Sequence, residues 1–173
     1  MAVSGRQAGG VAGDAYSKLI DDQLAEERAR KASLEQRAVG VITTSGAVVT
    51  LVFGFTAAVN GSAALRLPDS ARLELFVALF LLLAAVVVAV IVGFPVTYLE
   101  VEKEGLEKLI DEAEWTNTEV IEARRRTAQA ATGIIINARK ANGIKANLLT
   151  GALALEVLGI VTLALGAMAT LLG

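Results

Sequence analysis

The chain contains no cysteine and no histidine among its 173 residues. Without cysteine it cannot form a disulfide, use a thiolate nucleophile or bind a metal through sulfur. Without histidine it lacks the commonest general base and the commonest ligand of transition metals. It also has no glycine-rich phosphate-binding loop that ends in Lys followed by Ser or Thr. We therefore expect no enzyme active site, no metal site and no cofactor.

The chain also lacks a strong charge of either sign. Its 16 Lys and Arg residues against 18 Asp and Glu residues give a net charge of −2. Nucleic-acid-binding proteins carry a basic patch or stripe, and a near-neutral chain gives no such field. We expect no nucleic-acid partner.

Apolar residues are in excess and collect in three blocks. They make up 54% of the chain, whereas a soluble domain has about 45–50%. About 20 apolar residues in a helix cross the roughly 30 Å of membrane hydrocarbon, and each block is near that length. The sequence therefore predicts an all-α membrane protein with three transmembrane helices, in blocks 38–60, 75–98 and 146–172.

The rest of the chain is polar, which gives a predicted order of five segments. Residues 1–13 have no apolar core like that of a signal peptide, and Asp14 is a suitable helix cap. The predicted segments are a disordered tail (1–13), a cytoplasmic helix (14–37), a transmembrane hairpin (38–98), a cytoplasmic helical insert (99–145) and the third transmembrane helix (146–173).

Two features of the insert stay open at this point. A capping box at Thr116 and Glu119 favours two helices in a hairpin, and one long helix with a kink at Trp115 is the alternative. Asn142-Gly143 either breaks the helix before the third span or does not.

The distribution of Lys and Arg predicts the orientation. The 61–73 loop carries two of them, whereas the N-terminal segment carries six and the 99–145 segment eight. Basic residues favour the cytoplasmic side. We expect a multi-pass protein of the bacterial inner membrane with its N-terminus in the cytoplasm and its C-terminus outside.

Glu156 is the one acidic residue within a predicted span. It lies eleven residues beyond Lys145, or roughly 16 Å deep along a helix. An ionised carboxylate there costs at least about 2.5–3.5 kcal/mol, so Glu156 should face protein or water, or be protonated. It lies either on the wall of a pore in an oligomer or at a hydrogen-bonded contact between helices.

Small residues predict which helices pack together, since they let transmembrane helices approach closely. One stripe on the third span comprises Ala152, Glu156, Gly159 and Gly166, and one on the first span comprises Thr43, Ala47, Thr50, Gly54, Ala57 and Gly61. We expect these stripes to pack on each other, with Thr50 or Thr43 near Glu156. The second span, without such a stripe, should face lipid.

One dense basic cluster remains, at Arg124, Arg125 and Arg126. It is either an anion-binding site, for example for nucleotide phosphates, or a solvated helix face paired with Glu119 and Glu122 at helical spacing.

Two short motifs and the layout resemble a known group of proteins. Glu35-Gln36-Arg37-Ala38 leads into the first span, and a basic, asparagine-containing stretch, residues 137–142, leads into the last. The chain thereby resembles the small membrane effectors of bacterial anti-phage systems, the Pycsar-type transmembrane effectors and the SLATT group.

The resemblance implies a membrane-impairing or pore-forming effector that acts as a homo-oligomer in the lipid bilayer and answers a cyclic-nucleotide or soluble protein trigger. The alternative from another class is a non-conducting membrane scaffold that docks a soluble partner through its cytoplasmic helices.

Overall fold

The protein is all-helical over the residues that its computed structural model describes, which are 4–61, 69–94 and 119–172. Three helices make up these ranges: α1 (Ser4–Gly61), α2 (Asp69–Gly93) and α3 (Val120–Leu172). Each contains an apolar stretch long enough to cross a membrane. The described part of the chain is therefore that of a multi-pass membrane protein, as the composition predicts.

Several helix ends agree with the residues that mark them. Asn60-Gly61-Ser62 is a turn signal in the sequence, and α1 ends at Gly61. α2 begins at Asp69, which follows Pro68 in the sequence. Asp is a strong helix cap, and glycine commonly ends helices. The part of the predicted helical insert over residues 99–118, with Trp115 and Thr116, lies outside the described residues.

α1 and α3 are longer than predicted. α1 begins at Ser4, not at Asp14, so helix covers most of the segment predicted to be a tail. α3 continues without a break through Asn142-Gly143 into the last span. Extending an existing helix adds one hydrogen bond per residue and avoids the cost of a new nucleus, so isolated glycines do not end it.

The described residues form two compact units, which we call the two-helix unit and the three-helix unit. The two-helix unit contains residues 4–32 and 119–143, and the three-helix unit contains residues 33–61, 69–94 and 144–172. In the two-helix unit Arg124 contacts Asp14, and Arg139 contacts Glu27 further along α1. The two segments therefore run parallel.

The three-helix unit has an alternating arrangement of helices. Lys145 of α3 contacts Glu35 of α1 and the carbonyl of Phe94 at the end of α2. Further along α3, Gly159 lies against Leu82. Residue numbers thus rise along α3 as they fall along α2, so these two helices are antiparallel, as successive passes through a membrane require.

The core of the three-helix unit is built from residues of all three helices. Its buried members are Leu34, Ala38 and Val41 of α1, Ala85, Ala89 and Val92 of α2, and Leu149 and Ala152 of α3. Alanines at these positions let the helices approach closely, as small residues do in membrane helix pairs.

The prediction that the second span has no packed stripe is wrong. α2 carries a fully buried stripe at intervals of three, four and seven residues: Ala71, Ala78, Leu82, Ala85, Ala89 and Val92. Four of these six are alanines, the small residues that the prediction took as the mark of a packed face. The pattern is present in the sequence but is masked by a helix that is apolar all round. The opposite face of α2, including Phe76 and Phe80, is exposed.

Candidate functional site: a buried carboxyl with two hydroxyl partners

Glu156 lies inside the three-helix unit with only 7% of its surface exposed. It follows Ala152 by one helical turn and precedes Gly159 by another, and all three lie on the buried side of α3. Gly166 continues this side two turns later. The face that the sequence grouped on α3 is therefore the face that packs.

The hydrogen-bond partners of Glu156 come from α1 and are Thr44 and Ser45. The Thr44 hydroxyl contacts the Oε1 atom of Glu156, and the Ser45 hydroxyl lies 3.2 Å from the same atom. Ser45 is completely buried, whereas Thr44 is exposed on one side. The site therefore extends from the interior of the unit to its surface.

The prediction that Thr43 or Thr50 lies near Glu156 is wrong. The Thr43 hydroxyl donates to the carbonyl of Val39 at 2.9 Å, and that of Thr50 donates to Gly46 at 2.9 Å. Each bond stays within α1, and both side chains are exposed. Two residues along a helix turn the side chain by about 200°, so Thr43 points away from the side on which Val41 and Ser45 are buried.

The predicted packing of the α1 stripe on the α3 stripe is also wrong. Thr43, Ala47, Thr50, Gly54 and Ala57 are all exposed, and we call this set the small-residue face of α1. The two glycines of the α3 stripe, Gly159 and Gly166, pack on α2 instead. A Cβ at Gly159 would lie 3.0 Å from Leu82 Cγ and 3.3 Å from the Ala78 carbonyl oxygen.

Gly166 makes room for the side chain of a second acid, Glu74 of α2. A Cβ at Gly166 would lie 2.9 Å from Glu74 Oε2. That oxygen is buried and has no hydrogen-bond partner in the described residues.

An ion pair between a buried lysine and a partly buried glutamate lies at the other end of the three-helix unit. Lys145 is 3% exposed, and its Nζ lies 2.8 Å from Glu35 Oε1 and 3.2 Å from the Phe94 carbonyl oxygen. The second contact satisfies a carbonyl at the C-terminus of α2, where a cation is also favoured by the helix dipole. Lys145 thus joins all three helices.

A buried polar cluster lies in the two-helix unit, around Glu27. Its side chain is 6% exposed and accepts hydrogen bonds from Arg139 Nε and Asn142 Nδ2, both at 3.0 Å. Asn142 also donates to the Glu27 backbone carbonyl at 3.0 Å. The Asn142 hydrogen bond, with a further contribution from Arg139, lowers the pKa of Glu27 below its ordinary value despite the opposing effect of burial.

The basic cluster has carboxylate neighbours. Arg124 contacts Asp14 across the two-helix unit, and Arg126 Nε lies 3.1 Å from Glu122 Oε1. Arg125 is 3.9 Å from the same Glu122 carboxylate. These exposed pairs match the solvated-face interpretation more closely than a preformed anion site.

The sequence contained signals for the residues that the prediction missed. Thr43-Thr44-Ser45 is a run of three hydroxyl residues in the first span, but which of them meet Glu156 depends on the rotation of α1. Glu35 and Asn142 stood in the two motifs that carry the resemblance, and the structure gives both of them buried partners.

No protein-family model, curated protein or solved structure matches this chain.

Proposed function

We propose that the protein is a membrane-impairing effector of a bacterial defence system that acts as a homo-oligomer and opens a conducting path through the inner membrane. The proposal includes no catalytic step. Its N-terminus lies in the cytoplasm and its C-terminus outside, as the Lys and Arg distribution favours. The trigger is a soluble one, a cyclic nucleotide or a protein, received by the polar helices.

The observation that carries the proposal is the small-residue face of α1. The small residues on the buried faces of α2 and α3 pack inside the single chain, whereas the small residues of this face are exposed. A Cβ at Gly54 would meet no atom within 4 Å. Such faces allow two membrane helices to approach closely, so a second copy of the chain fits here.

The hydroxyls on this face suit both lipid and water. Thr43 and Thr50 donate to carbonyls of their own helix, so neither leaves an unsatisfied donor in the membrane. In an oligomer the same hydroxyl oxygens can accept hydrogen bonds from water. We propose that the face packs between copies and borders the conducting path.

The second candidate is the non-conducting scaffold, and the position of Glu156 favours it. The carboxyl is bonded to Thr44 and Ser45 within one chain, so it acts as a contact between helices and does not line the path in our proposal. A scaffold would need no path at all.

The experiment is to express the protein in bacteria and follow the membrane potential with a dye. Gly54→Leu fills the small-residue face, and Gly151→Leu is its matched control. Gly151 is also an exposed glycine with no atom within 4 Å of its Cβ position, but it lies on α3. We expect the wild type and Gly151→Leu to depolarise cells, and Gly54→Leu to leave them polarised at equal expression.

Two results contradict the proposal. Cells that stay polarised with the wild-type protein, even when candidate cyclic nucleotides are supplied, favour the scaffold. If Gly54→Leu and Gly151→Leu depolarise cells equally, the protein is still an effector, but the small-residue face of α1 is not needed for its activity.

A further inference from the structure

The hydrogen bonds around Glu156 cannot all be made by the protons that two hydroxyls supply. Thr44 Oγ1 lies 2.9 Å from the Gly40 carbonyl oxygen and 3.3 Å from that of Val41, and it also contacts Glu156 Oε1. A hydroxyl has one proton to donate. The contact with Glu156 or the contact with a carbonyl can use it, but not both.

Each arrangement requires a cation at the carboxyl. If Thr44 donates to Gly40, the hydrogen between Thr44 and Glu156 belongs to the carboxyl, which then holds a proton. If Thr44 donates to Glu156, the carboxylate is negative in a buried place, where an unbalanced charge is very costly. It then needs a positive ion beside it.

The chain itself supplies no such positive charge within the described residues. Lys145 is eleven residues away on α3, or about 16 Å, and is paired with Glu35. The other ionisable groups of the helices around Glu156 lie about two turns or more along their helices: Glu35 and Arg37 on α1, and Arg72 and Glu74 on α2. No ion pair joins Glu156 to any described residue.

The depth of Glu156 in the three-helix unit raises the cost of leaving a negative carboxylate there without a cation. It lies between Lys145, at the level of Phe94, and Gly166, at the level of Glu74. These contacts place it level with the middle of the apolar part of α2, Ala71–Gly93. Thr44 is exposed at this level, so the site borders the surface of the three-helix unit.

We propose that Glu156, Thr44 and Ser45 form a binding site for one exchangeable monovalent cation, a proton or a sodium ion. Carboxylate, hydroxyl and carbonyl oxygens are the hard ligands that such a cation takes, and the carbonyls of Gly40 and Val41 lie beside Thr44. The site goes beyond the proposed function, because it needs neither an oligomer nor a role in defence.

The test is modification by the apolar reagent dicyclohexylcarbodiimide, applied to the full chain in vesicles and located by peptide mass spectrometry. A protonated carboxyl adds across one C=N bond of the reagent, its proton going to nitrogen, and the O-acylisourea rearranges to a stable N-acylurea with no leaving group. We expect modification at Glu156, its absence in Glu156→Gln and its persistence in Glu74→Gln.

Sodium distinguishes the two cations. In the sodium case, sodium chloride slows modification relative to choline chloride, and the double variant Thr44→Val with Ser45→Ala removes that protection. In the proton case, sodium does not change the rate at which Glu156 is modified. The same double variant is then modified faster, because Thr44 no longer accepts a hydrogen bond from the protonated carboxyl. Thr150→Val is the matched control and should be modified at the wild-type rate, since its exposed hydroxyl donates to the Ala146 carbonyl of its own helix.

The proposal is overturned if folded protein shows no modification at Glu156 in sodium-free buffer. It is also overturned if Glu156 in the double variant is modified at the wild-type rate and sodium changes that rate as it does in the wild type. Neither result depends on depolarisation, so the site and the proposed function fail separately.

Discussion

Lys145 connects the three helices at one end of the three-helix unit. It is almost fully buried and bonds both Glu35 and the end of α2. Removing one partner of a buried pair leaves an uncompensated charge, which is usually more costly than replacing both. The pair can therefore be tested by comparing single and double variants.

We predict that Glu35→Gln destabilises the protein by about 3 kcal/mol, because the Lys145 ammonium stays buried. Glu35→Leu combined with Lys145→Met should recover much of this loss. Thermal unfolding in detergent measures both. If the double variant is as unstable as Glu35→Gln, the unpaired charge of Lys145 is not the cause of the lost stability, and the prediction is wrong.

Glu27 gives the two-helix unit a dependence on pH. Asn142 and Arg139 lower its pKa below the ordinary value near 4.5. Because the pKa of Glu27 is lower in the folded state than in the unfolded state, its ionised form stabilises the fold. This stabilisation is complete above the unfolded-state pKa and is lost as the pH falls through the folded-state pKa. We predict that protection of the Glu27 segment from hydrogen exchange is constant near neutral pH and falls in acid below about pH 4.5.

The control for this prediction is Glu27→Gln, which cannot ionise. It should show weaker protection at neutral pH and a flatter response to acid. The same acid-induced loss in Glu27→Gln would show that another group is responsible.

At the scale of the helix, the sequence predicted that three spanning helices exist and which residues they contain. It did not predict how each helix is rotated about its own axis. The three apolar blocks and the ends of α1 and α2 near Gly61 and Asp69 followed from local signals. The partners of Glu156 did not, because Thr43, Thr44 and Ser45 differ only in direction around α1. That direction is set by packing against two other helices, which no local pattern contains.

The buried face of α2 was missed for a related reason. Alanine is counted as apolar, so an alanine stripe gives no contrast in a helix that is apolar all round. Only the contacts separate Ala78 and Ala85, which are buried, from Phe76 and Phe80, which are exposed.

Close packing of α2 on α3 predicts opposite effects at two glycines of α3. Gly159→Ala places a Cβ 3.0 Å from Leu82 Cγ and 3.3 Å from the Ala78 carbonyl oxygen, so α2 and α3 must separate slightly, which should cost about 1–3 kcal/mol. Gly151→Ala meets no atom within 4 Å and should stabilise by up to about 1 kcal/mol. Thermal unfolding in detergent compares them, and equal effects would contradict the α2–α3 contact.

At the scale of the whole molecule, the absence of cysteine makes the orientation easy to test. Single cysteines at Lys18 and Lys140 should react with a membrane-impermeant maleimide only after cells are permeabilised, whereas Ala63→Cys should react from outside. These outcomes follow if the basic segments remain in the cytoplasm. Labelling of Lys18→Cys in intact cells would reverse the proposed orientation.

The central claim is that copies of the chain assemble through the small-residue face of α1, and native mass spectrometry in detergent tests it most directly. We predict a homo-oligomer of defined size for the wild type and for Gly151→Leu, and a shift to monomer for Gly54→Leu. A wild-type protein that is monomeric at every concentration, in detergents that keep it folded, would contradict the account.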